Sequence, residues 1–305
     1  MTRRGLVLFA SMCVIWGIPY LLIRVAVRDL SPATLVFART LIAALLLLPI
    51  AAARGEVLPV VRRWWPLLVF TAVEIAVPWL FLASAETRLS SSLTGLLIAA
   101  VPLVGALVVR TTGERERLGL SSALGLVLGL VGVAAIVGLD LGGASVAGLL
   151  EVAVVVVGYA VGPIVLARFL SDLPALGVIA VSLAVTAVAY TPIAAFDLPP
   201  DLPSSKVIGS VVALAAICTA LAFVLFFALI AEIGPVRATV ITYVNPAVAA
   251  VLGVTILDES FTIGMAVGFV LVLAGSLLAT RSRVPEPRPA EVRVDALAAA
   301  SASNR

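Results

Sequence analysis

Two ionisable side chains interrupt otherwise apolar stretches of this chain. Arg39 lies about six residues into the run 33–53, roughly 9 Å from its start at 1.5 Å per residue. Glu74 lies about ten residues into the run 64–85, near its middle. In an apolar medium such a group costs about 2.5–3.5 kcal/mol or more and turns to the interior of its bundle. With the two runs antiparallel, their heights differ by roughly 6 Å, within the reach of an arginine side chain. They are expected to pair, or to share a bound solute between them. Glu74 is also placed to take up a proton. The plainer reading is a structural ion pair that fixes helix packing. Glu151, near the start of the run 147–168, is a third candidate at a depth that water reaches.

Aromatic and amide side chains add polarity at similar depth. Trp16, Tyr20, Tyr159 and Tyr243 lie inside runs, where they could stack on a solute and offer hydroxyls. Packing with a satisfied O–H explains any single one equally well. Asn245 stands directly before Pro246. A proline frees a backbone carbonyl in its helix, and broken helices are tolerated at depth where they line a cavity. Pro102, Pro19 and Pro78 are helix-break or gating positions on the same argument, with a simple kink as the alternative. Trp64 and Trp65 fall at the edge of a run and read as interfacial anchors.

The elements that must position these groups are membrane spans. Hydrophobic residues make up 62% of the 305-residue chain and charged residues only 12%, against about 25% charged in soluble domains. Such a chain cannot cover its own surface in water, and a span needs about 20 apolar residues. Ten runs are long enough: 6–26, 33–53, 64–85, 90–110, 119–138, 147–168, 176–196, 207–230, 236–256 and 262–280. Tyr190, Thr191 and Pro192 interrupt the seventh. Residues 282–305, with Pro285, Pro287 and Pro289, read as a disordered cytoplasmic tail. Thr2-Arg3-Arg4 before an apolar run has the look of an export signal, but nine more runs follow, so a retained first span is expected.

Charge placement gives the orientation. With the N-terminus cytoplasmic, Arg3, Arg4, Arg54, Arg62, Arg63, Arg110, Arg115, Arg117, Arg168, Arg237, Arg281 and Arg283 lie inside. Only Arg24, Arg28, Arg88 and Lys206 lie outside. The positive-inside rule places both termini in the cytoplasm of a multi-pass protein of the cell membrane. These basic patches are topology signals, and nucleic acid is not expected as a partner. Cys13 and Cys218 fall inside spans and read as small apolar residues. The chain has no histidine, which excludes histidine metal ligation and relays; no metal or cofactor is expected.

The ten runs play as two sets of five. Pro49-Ile50-Ala51-Ala52 recurs as Pro192-Ile193-Ala194-Ala195, an offset of 192 − 49 = 143. Glu116, Gly125 and Gly132 recur as Glu259, Gly268 and Gly275 at the same offset, and Pro102 recurs as Pro246 at 144. Five is odd, so the second copy sits upside down. The predicted fold is an all-α polytopic membrane protein of ten transmembrane helices in two inverted five-helix repeats. At this offset Glu74 is matched by Ile217 or Cys218, and Arg39 by Ser182 or Leu183. The scaffold is duplicated and the polar residues are not. Gly125-x3-Gly129, Gly158-x3-Gly162 and Gly264-x3-Gly268 permit close helix approach. In the fifth and tenth spans they are expected to pack those helices together rather than to form a dimer contact.

Trp16-Gly17 in the first span, Pro-Leu or Pro-Ala in the middle of the fourth and ninth, and an acidic turn followed by Gly-x6-Gly resemble the EamA repeat of the drug/metabolite transporter superfamily. The resemblance covers about 5–138 and 147–281. The first acidic turn departs from the pattern by two residues, Glu114-Arg115-Glu116-Arg117, which blurs the residue equivalent to Glu259. The resemblance implies a central cavity lined by spans 1–4 and 6–9, braced by spans 5 and 10. It implies a secondary transporter that exports small metabolites. The mixed polarity of Arg39, Glu74, Asn245 and the tyrosines suits amino acids or related solutes better than a hydrocarbon drug. Multidrug or toxic-compound efflux is the alternative. Proton coupling would run through Glu74. No Gly-x4-Gly-Lys-Ser/Thr loop is present for ATP. An intramembrane enzyme is the reading from another class, but no Gly-x-Ser-x-Gly or His-Glu-x-x-His motif is present and no aspartate lies deep in a span. The expected partners are the lipid bilayer, a small-molecule substrate and protons, with the protein a monomer or homodimer.

Overall fold

A computed structural model describes residues 2–112, 120–138, 145–197, 199 and 201–280. The predicted tail and the acidic turn with Glu114 and Glu116 lie outside the described residues. Among the described residues nine helices are long and apolar enough to cross a membrane: Arg3–Ala26, Pro32–Ala53, Trp64–Ala85, Ser91–Val108, Ser121–Gly138, Val146–Phe169, Ala175–Phe196, Ser205–Ile233 and Ile263–Thr280. The tenth, Ile241–Leu257, is shorter. They are numbered here as spans 1 to 10 in chain order, Ile241–Leu257 being span 9. The end carrying the N-terminus is the near end, and the other is the far end.

Local chemistry starts and stops the helices. Ser31, Ser90 and Ser204 accept hydrogen bonds from the amides of Thr34, Leu93 and Val207, three residues on, which satisfies donors that a helix start leaves free. Span 2 stops at Arg54 with Gly55 at φ 71°. The amides of Gly55 and Glu56 turn back to the carbonyls of Ala52 and Ala51, a reversal that requires a left-handed residue. Span 7 runs unbroken through Pro192, so the interruption expected at Tyr190–Pro192 is absent.

Packing follows the exchange that a two-fold between halves demands. Span 5 packs on 10, span 2 on 7 and span 4 on 9, each on its own counterpart, while span 3 packs on 6 as span 8 packs on 1. Glycines set the closest contacts. A Cβ built on Gly125 would stand 2.5 Å from the Ala279 nitrogen, and one on Gly275 2.5 Å from the Gly129 nitrogen. Gly132 and Gly268 face each other's carbonyls in the same way. Lipid tails are as apolar as leucine, so such backbone contact, rather than apolar burial, joins helices in a bilayer. The outward faces stay greasy, with Leu45, Val127, Leu130 and Val270 exposed.

Several spans are not uniform α-helix. Span 1 is cut at Trp16–Ile18 between Arg3–Ile15 and Pro19–Ala26, and span 4 at Ala99–Ala100 between Ser91–Ile98 and Val101–Thr112. Spans 3 and 8 each contain a wide π turn, Thr71–Ala76 and Ala216–Leu221. Pro19, Pro78 and Pro102 each stand in the first two residues after such an irregularity. Pro246 differs: Ile241–Leu257 continues through it, and the interruption lies earlier, at Thr239–Val240. The repeat matches the two π turns but not the cut in span 1, since span 6 is continuous through Pro163.

Candidate functional site

Arg39 enters the bundle interior from span 2 with only 6% of its surface exposed. Its Nε donates to the Thr219 hydroxyl at 2.9 Å, and its guanidinium carbon stands 3.6 Å from the centre of the Trp79 ring. Thr219 lies in the π turn of span 8, where its hydroxyl donates in turn to the Leu214 carbonyl five residues back, at 2.8 Å. The wide turn frees that carbonyl, and the threonine relays it to the arginine. Trp79 lies three residues past the end of the π turn of span 3, so a partner of Arg39 stands in or just after each π turn. A cation over an indole face gains about 0.5–2 kcal/mol according to how dry the site is.

The expected ion pair is not formed. Among the described residues the salt bridges are Arg63–Asp172 at 2.9 Å and Arg88–Glu151 at 2.6 Å, with no Arg39–Glu74 pair. Glu74 sits in the π turn of span 3 and turns toward span 6, where its carboxylate occupies the space a Cβ on Gly162 would need. Its Oε2 is buried with no partner among the described residues. Tyr159 of span 6 stands between the two. It lies in electrostatic range of both Arg39 and Glu74, with Trp79 beside it. Tyr20 of span 1 is buried and in electrostatic range of Arg39 and Tyr159. Four of the sequence-predicted residues, Arg39, Glu74, Tyr20 and Tyr159, therefore converge.

The others go elsewhere. Trp16 packs on Phe223 and Phe226 of span 8, ring centres 5.8 and 4.7 Å apart, in an aromatic group that Phe227 extends. Asn245 bridges spans. In the orientation that satisfies its amide, the nitrogen donates to the Ile241 and Cys13 carbonyls, each at 3.0 Å. The cut in span 1 sends the Gly17 amide to Val14, so the Cys13 carbonyl has lost its helical donor, and Asn245 replaces it. Tyr243 is half-buried in the first turn of span 9. Glu151 is held by Arg88 and by the Ser84 hydroxyl at 2.8 Å, which makes it a structural partner at the far end.

Sequence reasoning passed over Trp79, Thr219 and Cys218, which all lie against Arg39. It also passed over what Glu259 does. The Glu259 carboxylate accepts from the amides of Ser91 and Ser92, both at 2.8 Å, and from both hydroxyls. With Ser90 on Leu93, it satisfies the opening turn of span 4 from the turn between spans 9 and 10. Gly253 leaves the room, since a Cβ there would strike Ser92 and Glu259. Asp258 before it takes a left-handed φ of 54°. Burial pushes the Glu259 carboxyl up, but the bonds from Ser92 and Ser91 outweigh it and hold it below the usual carboxylate range.

The arrangement can bind rather than transform. A guanidinium stacked on an indole, a carboxyl group whose Oε2 has no partner among the described residues, and two tyrosines come together in the bundle interior. The comparisons agree with the fold. The model of the EamA-like transporter family matches twice, over residues 3–138 and 146–281. Among curated proteins nothing matches significantly. A solved structure described as "Crystal structure of protein" is 22% identical over 92% of this chain and 98% of its own, with a TM-score of 0.66, which supports the fold alone.

Proposed function

The chain belongs to the EamA-like transporter family, and from that premise we propose that it exports amino acids or related zwitterionic solutes across the cytoplasmic membrane, coupled to protons. Membership makes it a secondary transporter and not an enzyme. The Arg39 guanidinium carries the substrate reading. Its Nε is committed to Thr219, and among the described residues its terminal nitrogens have no hydrogen-bond acceptor. Two parallel N–H groups on a rigid fork match a carboxylate. The Glu74 carboxyl, whose Oε2 has no partner among the described residues, suits the ammonium of the same solute, or a proton in its absence. The near end, where the arginines concentrate, is the cytoplasmic face on this reading.

The test is counterflow in proteoliposomes with labelled amino acids and metabolites, with and without an imposed pH gradient. Saturable exchange of a zwitterion, accelerated by the gradient, is expected. Non-saturable flux would mean a pore and would end the carrier reading. The aromatic group of Trp16, Phe223, Phe226 and Phe227 supports a second reading, efflux of flat apolar compounds. Transport of aromatic cations without any zwitterion would select it.

A further inference from the structure

At the far end, a carboxylate that the central site does not use is fully buried. Glu86 closes span 3, has 0% of its surface exposed, and neither of its carboxylate oxygens has a partner among the described residues. Its surroundings are polar. Arg24 of span 1 donates to the Glu86 backbone carbonyl, not to its carboxylate. Glu259, in the turn between spans 9 and 10, and Tyr20 of span 1 are within electrostatic range of it. Thus a guanidinium sits beside a bare carboxylate and does not pair with it, while a second carboxylate stands close by.

We propose that Glu86 is a proton-binding site whose occupancy holds the far end closed. A neutral carboxylic acid accounts for each feature. It needs no cation, so Arg24 stays on the backbone carbonyl and caps span 3. It does not repel Glu259, so Glu259 stays on the amides of Ser91 and Ser92 and holds the start of span 4. Loss of the proton reverses both terms. The new charge draws Arg24 off the carbonyl and pushes Glu259 off the serines, and spans 1, 3, 4 and 9 lose their common knot. Burial first, and then the Glu259 charge, raise the Glu86 carboxyl well above the usual range, with Arg24 acting against them. The sign follows: the closed end is favoured at low pH and weakens as pH rises, because opening returns Glu86 to water, where it ionises readily. Tyr20, in electrostatic range of Glu86, Tyr159 and Arg39 alike, joins this site to the central one.

The inference rests on the carrier reading in one respect, that the far end opens. Thr94 lies buried one turn below the serines, and Thr87 is exposed beside Glu86. Thr94→Cys and Thr87→Cys proteins are labelled with a maleimide across pH, and peptide mass spectrometry reads each cysteine separately. The Thr87→Cys rate corrects for thiol ionisation. The corrected rate at Thr94→Cys is expected to rise several-fold from about pH 6 to about pH 9. Adding Glu86→Gln should hold it at the low value throughout, and Glu86→Asp should restore the rise. A flat or falling profile without a Glu86 change, or an unchanged rise in Glu86→Gln, overturns the proposal. Adding Glu74→Gln separates the readings: it should leave this labelling profile intact while removing any pH-driven flux.

Discussion

Arg39 in the first half and Thr219 in the second are joined side chain to side chain, Nε to Oγ1, at 2.9 Å in the bundle interior. The contact links span 2 to the π turn of span 8, and the hydroxyl reaches on to the Leu214 carbonyl. A mobile arginine head is thereby held by one nitrogen, with its fork left for a ligand.

Arg39→Lys should therefore cost more than a conservative change usually does. Lysine keeps the charge but loses the planar fork and the fit over Trp79. A rise in KM of tenfold or more for a zwitterionic substrate, with the protein still folded, is the expected outcome in vesicle transport. Thr219→Val should lower stability by about 1 kcal/mol, the worth of a typical hydrogen bond, and raise KM less.

Gly162 and Gly129 should respond differently to alanine. A Cβ at Gly162 meets the Glu74 carboxylate and its stem, so Gly162→Ala must displace Glu74. It should reduce pH-driven flux as Glu74→Gln does. At Gly129 the new atom meets the flexible end of Leu103, which can turn away. Parallel flux assays would show whether only the first loses its response to pH.

The brace should tolerate no side chains. Gly125→Leu or Gly275→Leu would push apart backbones whose atoms stand within 3 Å of the missing Cβ. A loss of about 1–3 kcal/mol or more, typical of overpacking, should appear as a lower melting temperature in detergent. The protein that remains folded should transport at a near-normal rate, since these glycines lie away from Arg39 and Glu74.

Glu259 makes a pH-dependent contribution of known sign. Its folded carboxyl titrates below the unfolded value of about 4.3. The stability that its ionised form supplies is present above that value, and is lost as pH falls through the folded one. Glu259→Gln should be less stable than the parent at neutral pH by about 1–2 kcal/mol, and so melt lower. The gap should close in acid, which a melting series from about pH 7 to about pH 3 would display.

Much of this was legible in the chain, for identifiable reasons. A span needs a long apolar run, so hydropathy located the helices to within a few residues. Pro32, Pro174 and the seryl caps lie where helices begin because only certain residues satisfy a helix start. Gly125, Gly132, Gly268 and Gly275 were visible as a repeated spacing, and the structure sets them against one another. The cut at Thr239–Val240 was not legible. Pro246 marked a break that does not occur, because a proline removes one amide without forcing the chain out of a helix.

The central site was half legible. Burial in apolar runs singled out Arg39 and Glu74, since a charge at that depth must turn inward. Their partners were hidden. The two π turns begin at Thr71 and Ala216, an offset of 216 − 71 = 145, not the 143 of the glycines. The fourth residue of each turn is then Glu74 and Thr219. Sequence spacing had set Ile217 or Cys218 opposite Glu74, one or two residues short of Thr219, because a local change of register between the halves leaves no mark on composition.

The sequence alone determined the membrane setting, the number of spans, the duplication and the identity of the buried charges, since each follows from composition and order along one chain. Tertiary structure alone decided that Arg39 takes Thr219 and Trp79 instead of Glu74. It alone decided that Glu86 is enclosed with no partner for its carboxyl among the described residues and that Glu259 holds the start of span 4. Those outcomes depend on which helix faces meet, and that is set by shape and by the register of facing turns, which hydropathy does not encode.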